Sequence, residues 1–206
     1  MPARAAASLM AAALSGAEHT VPLLPDTLSA GSLGLHRWRP THRDGMLAAV
    51  EASFPELHQW MPWAATMPTA DEMTKVLQEG EAAFDDDREW SYTLIESDSG
   101  EVVGSAGLHR RAGPGTIEIG YWVRSDRTGR GYATAAARVL TDAAFTWLDQ
   151  VEQVEIRMDR ANRASASVPP KLGFRLLERE NRERLAPAHS GGGLVWTRDR
   201  PSSGHD

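Results

Sequence analysis

The run Arg127-Thr128-Gly129-Arg130-Gly131-Tyr132-Ala133-Thr134 carries the clearest chemistry in this chain. Two glycines one residue apart let a backbone turn sharply and leave successive N–H groups unobstructed by a Cβ. The run follows an alternating strand, Thr116 to Val123, and opens a helix expected to reach about Leu148. The first N–H groups of a helix lack intrahelical acceptors and sit at the positive end of its dipole, so such a junction binds phosphate. Arg127 and Arg130 add full charges beside it. The spacing is not that of a dinucleotide fingerprint, because Ala133 and Ala136 stand where a third glycine is needed. No Gly-Lys-Ser/Thr follows to make a Walker loop.

What the run resembles is the pyrophosphate loop of the GNAT family of N-acetyltransferases, Gln/Arg-x-x-Gly-x-Gly/Ala, read here as Thr128 to Ala133. Thr128 departs from the first position of that pattern, and Arg127 or Arg130 is left to supply the charge. Further segments resemble the ribosomal-protein N-terminal acetyltransferase branch of that family and its small-molecule relatives. They are Leu33 to Pro40, Leu57 to Ala64, Ile117 to Val123, and Asn162-x-x-Ser165-x-x-Val168-x-x-Lys171-Leu172-Gly173-Phe174. The resemblance spans roughly Leu33 to Trp196, with the segments in the family's order.

The resemblance implies acetyl-CoA as co-substrate and a primary amine as acceptor, either a protein N-terminus or a small molecule. It places the pantetheine arm against the backbone of Trp122 and Val123, the pyrophosphate on Thr128 to Thr134, and the pantetheine amides on Asn162. Ser165 matches the serine that protonates the leaving thiolate in this branch; as a serine near a helix start, it reads equally as a cap. Trp60 and Trp63 lie in the segment that walls the acceptor cleft. Pro169-Pro170 departs from the family, so the last helix is expected to start late, with Ser167 as its cap. No cysteine exists to carry an acyl group, and no serine or lysine sits in a nucleophile motif, which leaves direct attack in a ternary complex.

The base is sought on a hairpin. If Ala112-Gly113-Pro114-Gly115 is the turn, His109 faces Glu118. One face then reads Val102, Gly104, Ala106, Leu108, Ile119, Tyr121 and Val123, which is core. The other reads Ser105, Gly107, His109, Glu118, Gly120 and Trp122. A carboxylate in the middle of that small, polar face is a candidate general base, and His109 is the alternative base or its tuning partner. The bland reading is a structural Glu118 paired with His109 or an arginine.

The elements that must position these groups read as one mixed α/β domain, with helices flanking a mostly antiparallel sheet. Its limits are expected at residues 31–200, with an unstructured extension over 1–30 and a tail over 201–206. Thr69 to Glu72 is a capping box for a helix with Met73, Val76, Leu77 and Phe84 on one face. Asp85-Asp86-Asp87 reads as a solvated loop, or as a lure for a cationic acceptor, and Gly191 to Gly193 as a loose connector.

At 206 residues, 41% hydrophobic and 24% charged, the chain suits a single globular core. A net charge of -6 argues against nucleic acid as partner. Seven scattered histidines and no cysteine offer no metal site. No apolar run approaches the ~20 residues of a membrane span. Arg4 to Ala17 has the outline of a short signal peptide, but its Ala-rich core favours a plain extension and a cytoplasmic protein. Self-association into a homodimer is left open. Two rival readings stand beside the enzyme: a non-catalytic acyl-CoA-binding regulatory module and a general phosphate-ligand binder.

Overall fold

The computed structural model describes residues 23–202. Most of the expected extension, the signal-peptide outline and the last four residues of the tail lie outside them.

Among the described residues, eight strands form one sheet: β1 (Thr27–Ala30), β2 (Leu33–Arg37), β3 (Glu89–Glu96), β4 (Val102–His109), β5 (Thr116–Val123), β6 (Gln153–Asp159), β7 (Arg175–Asn181) and β8 (Gly192–Asp199). Their spatial order is β1-β2-β3-β4-β5-β6-β8-β7, and every neighbouring pair is antiparallel except β5 with β6. Five α-helices of the described residues flank it: α1 (Arg43–Glu51), α2 (Phe54–Trp60), α3 (Ala70–Asp85), α4 (Tyr132–Trp147) and the one-turn α5 (Arg163–Ala166). The mixed, mostly antiparallel α/β fold is the one the sequence implies.

The parallel pair exists because α4 carries the chain back from the end of β5 to the start of β6. Such a crossover needs a helix-length connection. The helix meets the sheet through Tyr132, Ala136, Leu140 and Ala143, all buried at helical spacing. Leu140 is fully enclosed, so truncating it to Ala would cost about 2–5 kcal/mol. Trp147 is half exposed at the helix end, where Leu148 and Val151 fill the core instead. On the opposite face, α1 and α3 cover β3 and β4 and enclose a smaller cluster of Met46, Val50, Leu57, Met73 and Leu77. The capping box at Thr69 forms as expected, with Glu72 returning to the Thr69 N–H at 2.8 Å.

The structure corrects several local readings. Thr27–Ala30 pair with β2, so the sheet begins inside the expected extension. A bulge at Leu94/Ile95 opposite Val102 and Gly104 turns Val102 to the α1 side and gives its core place to Val103. Gly104 permits this, with φ +152° and a position where a Cβ would lie 2.2 Å from the Trp122 carbonyl oxygen. The acidic run is more than solvated loop. Asp85 ends α3 and accepts from the buried Arg37 at 2.7 Å, while Asp87 accepts from the Leu23 N–H at 2.8 Å. Gly192 and Gly193 are strand residues of β8, not a connector.

Candidate active site

The chemistry expected from the sequence gathers where β5 and β6 part. The two strands are paired only from Thr116/Gln153 to Ile119/Ile156. Beyond those residues the gap-side backbone groups of Tyr121 to Val123 have no strand partner, an edge a ligand can hydrogen-bond. A cleft of about 560 Å³ opens there, lined by Trp122, Val123, Thr128, Gly129, Gly131, Tyr132, Ala133, Thr134, Asn162 and Ser165. Trp60 joins the lining from α2.

One wall is the glycine loop. Gly129 (φ +77°) and Gly131 (φ +83°) both take left-handed conformations, and a Cβ on either would point into open space. The glycines are therefore demanded by backbone geometry and by the cleft, not by packing. Gly131 is the N-cap of the 16-residue α4, whose first turn carries no acidic residue. The N–H groups of Tyr132, Ala133 and Thr134 are thus presented to the cleft with nothing to repel an anion. The arginines are less free than expected. Arg130 stands outside the lining, 3.2 Å from Glu96, and Arg127 is bonded to Glu101 and Asp126. Glu96 also accepts from the Tyr132 hydroxyl, which with Ser99 and these arginines holds its pKa below the usual carboxylate range.

The opposite wall is α5. Its helix does not start late: Asn162 is the N-cap, its carboxamide oxygen accepting from the Ser165 N–H at 3.0 Å. Ser167 closes the turn by donating to the Ala164 carbonyl, and the two prolines open a separate 3-10 turn, Pro169–Leu172. Asn162 thus spends its oxygen on the cap and keeps its amide N–H groups for the cleft. Ser165 is not a cap. Its hydroxyl oxygen lies 3.2 Å from the Tyr121 hydroxyl, which also donates to the Ser165 carbonyl at 3.2 Å. Burial pushes the Tyr121 pKa up to about 12, so it stays protonated and able to donate at neutral pH.

Strand alternation in the sequence assigns Tyr121 to the core. It does share the α4 face with Ile119 and Val123, but it falls two residues past Ile119, the last residue paired with β6, so β6 no longer covers it. Nothing in the sequence around Asp159 marks its role. It is buried at the end of β6 and accepts from the Ala161 N–H (2.8 Å), the Ser190 N–H (2.9 Å) and the Ser190 hydroxyl (2.8 Å). It fixes the entry to α5.

The polar face of the hairpin is as expected in register: His109 pairs with Glu118 and Gly107 with Gly120. Neither Glu118 nor His109 lines the cleft itself; they lie on the face that Trp122 continues into it. Glu118 has a guanidinium partner, Arg111, at 3.4 Å, and His109 bonds Glu89 at 3.0 Å. Trp63 is half exposed and packs on Trp122, ring centres 6.2 Å apart, outside the cleft lining. The segment between β7 and β8 docks against α2, with Ala188 N–H on the Gln59 carbonyl and His189 Nε2 on the Trp60 carbonyl, both at 3.0 Å. Aromatic and loop walls therefore frame the end of the cleft that the polar face enters. Among the described residues no helix is long and apolar enough to cross a membrane, and no three acidic or histidine groups are placed to hold a metal ion.

Comparison with known proteins agrees with this geometry. Residues 32–175 match the acetyltransferase (GNAT) domain family. A Bacillus subtilis protein described as a ribosomal N-acetyltransferase, YdaF, is 40% identical over 57 residues, 28% of this chain and 31% of that relative's length. The structure of Mycobacterium smegmatis RimJ in complex with CoA-disulfide superimposes with a TM-score of 0.75 at 25% identity, covering 86% of this chain and 89% of that one. RimL, a ribosomal L7/L12 alpha-N-protein acetyltransferase solved with coenzyme A, gives 0.76 at 17% identity over 84% of this chain and 97% of its own. With the match covering well over half its length and the parted strands and glycine loop in place, the chain belongs to the GNAT acetyltransferase family.

Proposed function

We propose that this protein is an acetyl-CoA-dependent N-acetyltransferase acting on primary amines, with a protein N-terminus as the favoured acceptor class. One observation carries the reading: the parted β5–β6 cleft joins an anion-binding helix start at one end to the Tyr121–Ser165 hydroxyl pair at the other. The descriptions of RimL, a ribosomal L7/L12 alpha-N-protein acetyltransferase, and of YdaF, a ribosomal N-acetyltransferase, favour a protein amine over a small one. The cytoplasm, where acetyl-CoA and nascent N-termini meet, is the compartment this activity calls for.

Acetyl-CoA, when bound, supplies an acyl group already activated as a thioester. The N–H groups from Gly129 to Thr134 hold its pyrophosphate. The open edge of Tyr121 to Val123 and the Asn162 amide hydrogen-bond its pantetheine arm. Such positioning is worth about 7–11 kcal/mol of an otherwise bimolecular barrier. Ser165 donates its hydroxyl proton to the sulfur as the C–S bond breaks and the C–N bond forms, and Tyr121 beside it can replace that proton. Of the two protons the amine nitrogen loses, one balances the thiol. The other leaves through the polar face carrying Glu118 and His109. Each positioned proton donor or acceptor contributes roughly 10²–10⁴-fold.

The test is thiol release from acetyl-CoA across a panel of free-N-terminus peptides, N-blocked peptides and small amines. The reading expects thiol with free N-termini and none with blocked ones. Retention on immobilised CoA without thiol release for any amine would favour the regulatory module. Failure to bind CoA would leave only a phosphate binder.

A further inference from the structure

The polar hairpin face holds two candidate bases, and the structure treats them differently. Glu118 is neutralised in place by Arg111, 3.4 Å away, with its side chain largely covered. His109 is held by one anchor at one nitrogen: Nδ1 lies 3.0 Å from a Glu89 carboxylate oxygen across β3 and β4. A carboxylate can only accept at this contact, so Nδ1 carries the hydrogen and Nε2 of the neutral ring carries the lone pair. That Nε2 hangs over two glycines that face each other across β4 and β5. A Cβ on Gly107 would lie 3.3 Å from it, and a Cβ on Gly120 3.4 Å. The ring is therefore folded back along β4 from residue 109 toward residue 107. On β5 this is the direction from Glu118 toward Trp122, the residue of this face that lines the cleft. Larger side chains at 107 and 120 would crowd the ring at close contact.

We infer that His109, oriented by Glu89 through a two-glycine window, is the group that takes the proton from the acceptor ammonium, directly or through one water. This rests on the acetyl-transfer reading. In the step, an N–H bond of the ammonium breaks, the proton bonds to Nε2, and the freed amine lone pair attacks the thioester carbonyl. The imidazolium returns the proton to water. Glu89 is a positioning residue; it fixes the ring's tautomer and direction and stabilises the imidazolium. Its own pKa is held low, chiefly by the bond to His109, so it remains an anion throughout. The other charged groups around the ring are Arg88 beside Glu89, Arg111 and Glu118 on the hairpin, and Glu155 and Arg157 on the neighbouring β6.

Two measurements test it. In the free protein, long-range ¹H–¹⁵N spectra at alkaline pH should show His109 protonated on Nδ1, and E89A should mix the tautomers. A wild-type ring protonated on Nε2 overturns the inference whatever the enzyme does. In turnover with the best acceptor, H109Q should lose about 10²-fold in kcat/KM with acetyl-CoA affinity unchanged, and recover part of it at high pH. E89Q should lower kcat/KM with acetyl-CoA affinity unchanged, because the ring loses the contact that fixes its tautomer and direction, while E89D restores the wild-type value. Wild-type rates in H109Q, or a larger loss in E118Q than in H109Q, would transfer the role to Glu118. If no amine is acetylated, the activity reading fails, while the tautomer spectra still decide the orientation of His109.

Discussion

The glycine loop and α5 face each other across one cleft, yet they are built on opposite principles. The loop is made of backbone: two left-handed glycines and the first N–H groups of a 16-residue helix. The α5 wall is made of side chains: an asparagine cap, a serine, a tyrosine from another strand and a buried aspartate that ties three segments together. A backbone site tolerates wide change in the residues around it, because the helix supplies the donors. A side-chain site fails when any supporting contact is lost. The two walls should therefore break differently.

The largest effect is expected at α5. Ser165→Ala should lower kcat by roughly 10²-fold or more and leave acetyl-CoA affinity intact, as a donor acting only in the transition state requires. Single-turnover rates beside calorimetry measure both. Lost affinity with retained chemistry would make Ser165 a binding contact.

Asp159→Asn comes next, at about 2 kcal/mol of stability, the usual worth of hydrogen bonds to a charged acceptor. Burial favours the neutral acid here, but the Ala161 N–H and the Ser190 hydroxyl and N–H outweigh it, so the folded pKa lies below the usual carboxylate range. A depressed pKa means that its stabilisation is complete above the unfolded carboxylate value, about 4, and is lost as pH falls through the folded one. Melting temperatures in acid should therefore fall less steeply in the variant than in the parent. Parallel curves would remove Asp159 from the account.

At the loop, Gly131→Val imposes an L side chain at φ +83°, a strain of about 1–3 kcal/mol, and points it into the cleft. Acetyl-CoA affinity should drop by about tenfold or more by calorimetry. Unchanged affinity in a folded variant would refute the phosphate role. The smallest effect is expected from Tyr121→Phe. It removes the two neutral contacts of its hydroxyl to Ser165, about 1 kcal/mol each, and should cost kcat a few-fold while acetyl-CoA affinity holds.

The same contrast explains what the sequence could reveal. The loop was legible because its demand is local: glycine at φ +77° and +83°, directly after an alternating strand and before an apolar helical stripe. The hairpin register was legible too, since one four-residue turn places His109 opposite Glu118. The α5 wall was not. Its helix start depends on Asn162 capping Ser165, and the two prolines pointed to a later start at Ser167. Tyr121 looked like core because alternation places it there, and only the parting of β5 from β6 uncovers it. Nothing near Glu89 in sequence says that it meets His109; that contact exists because β3 and β4 pair in this register. Val102 misled for a related reason, since a bulge shifts parity without leaving a mark in the alternation.

The account's central claim is direct transfer from thioester to amine within this cleft. Rapid-quench mass spectrometry with acetyl-CoA measures it most directly, run first without an acceptor and then with a free-N-terminus peptide. The account predicts no thiol and no acetylated protein in the first arm, then thiol and acetylated peptide appearing one for one in the second. A stoichiometric burst of thiol with an acetylated protein side chain before any acceptor is added would contradict it.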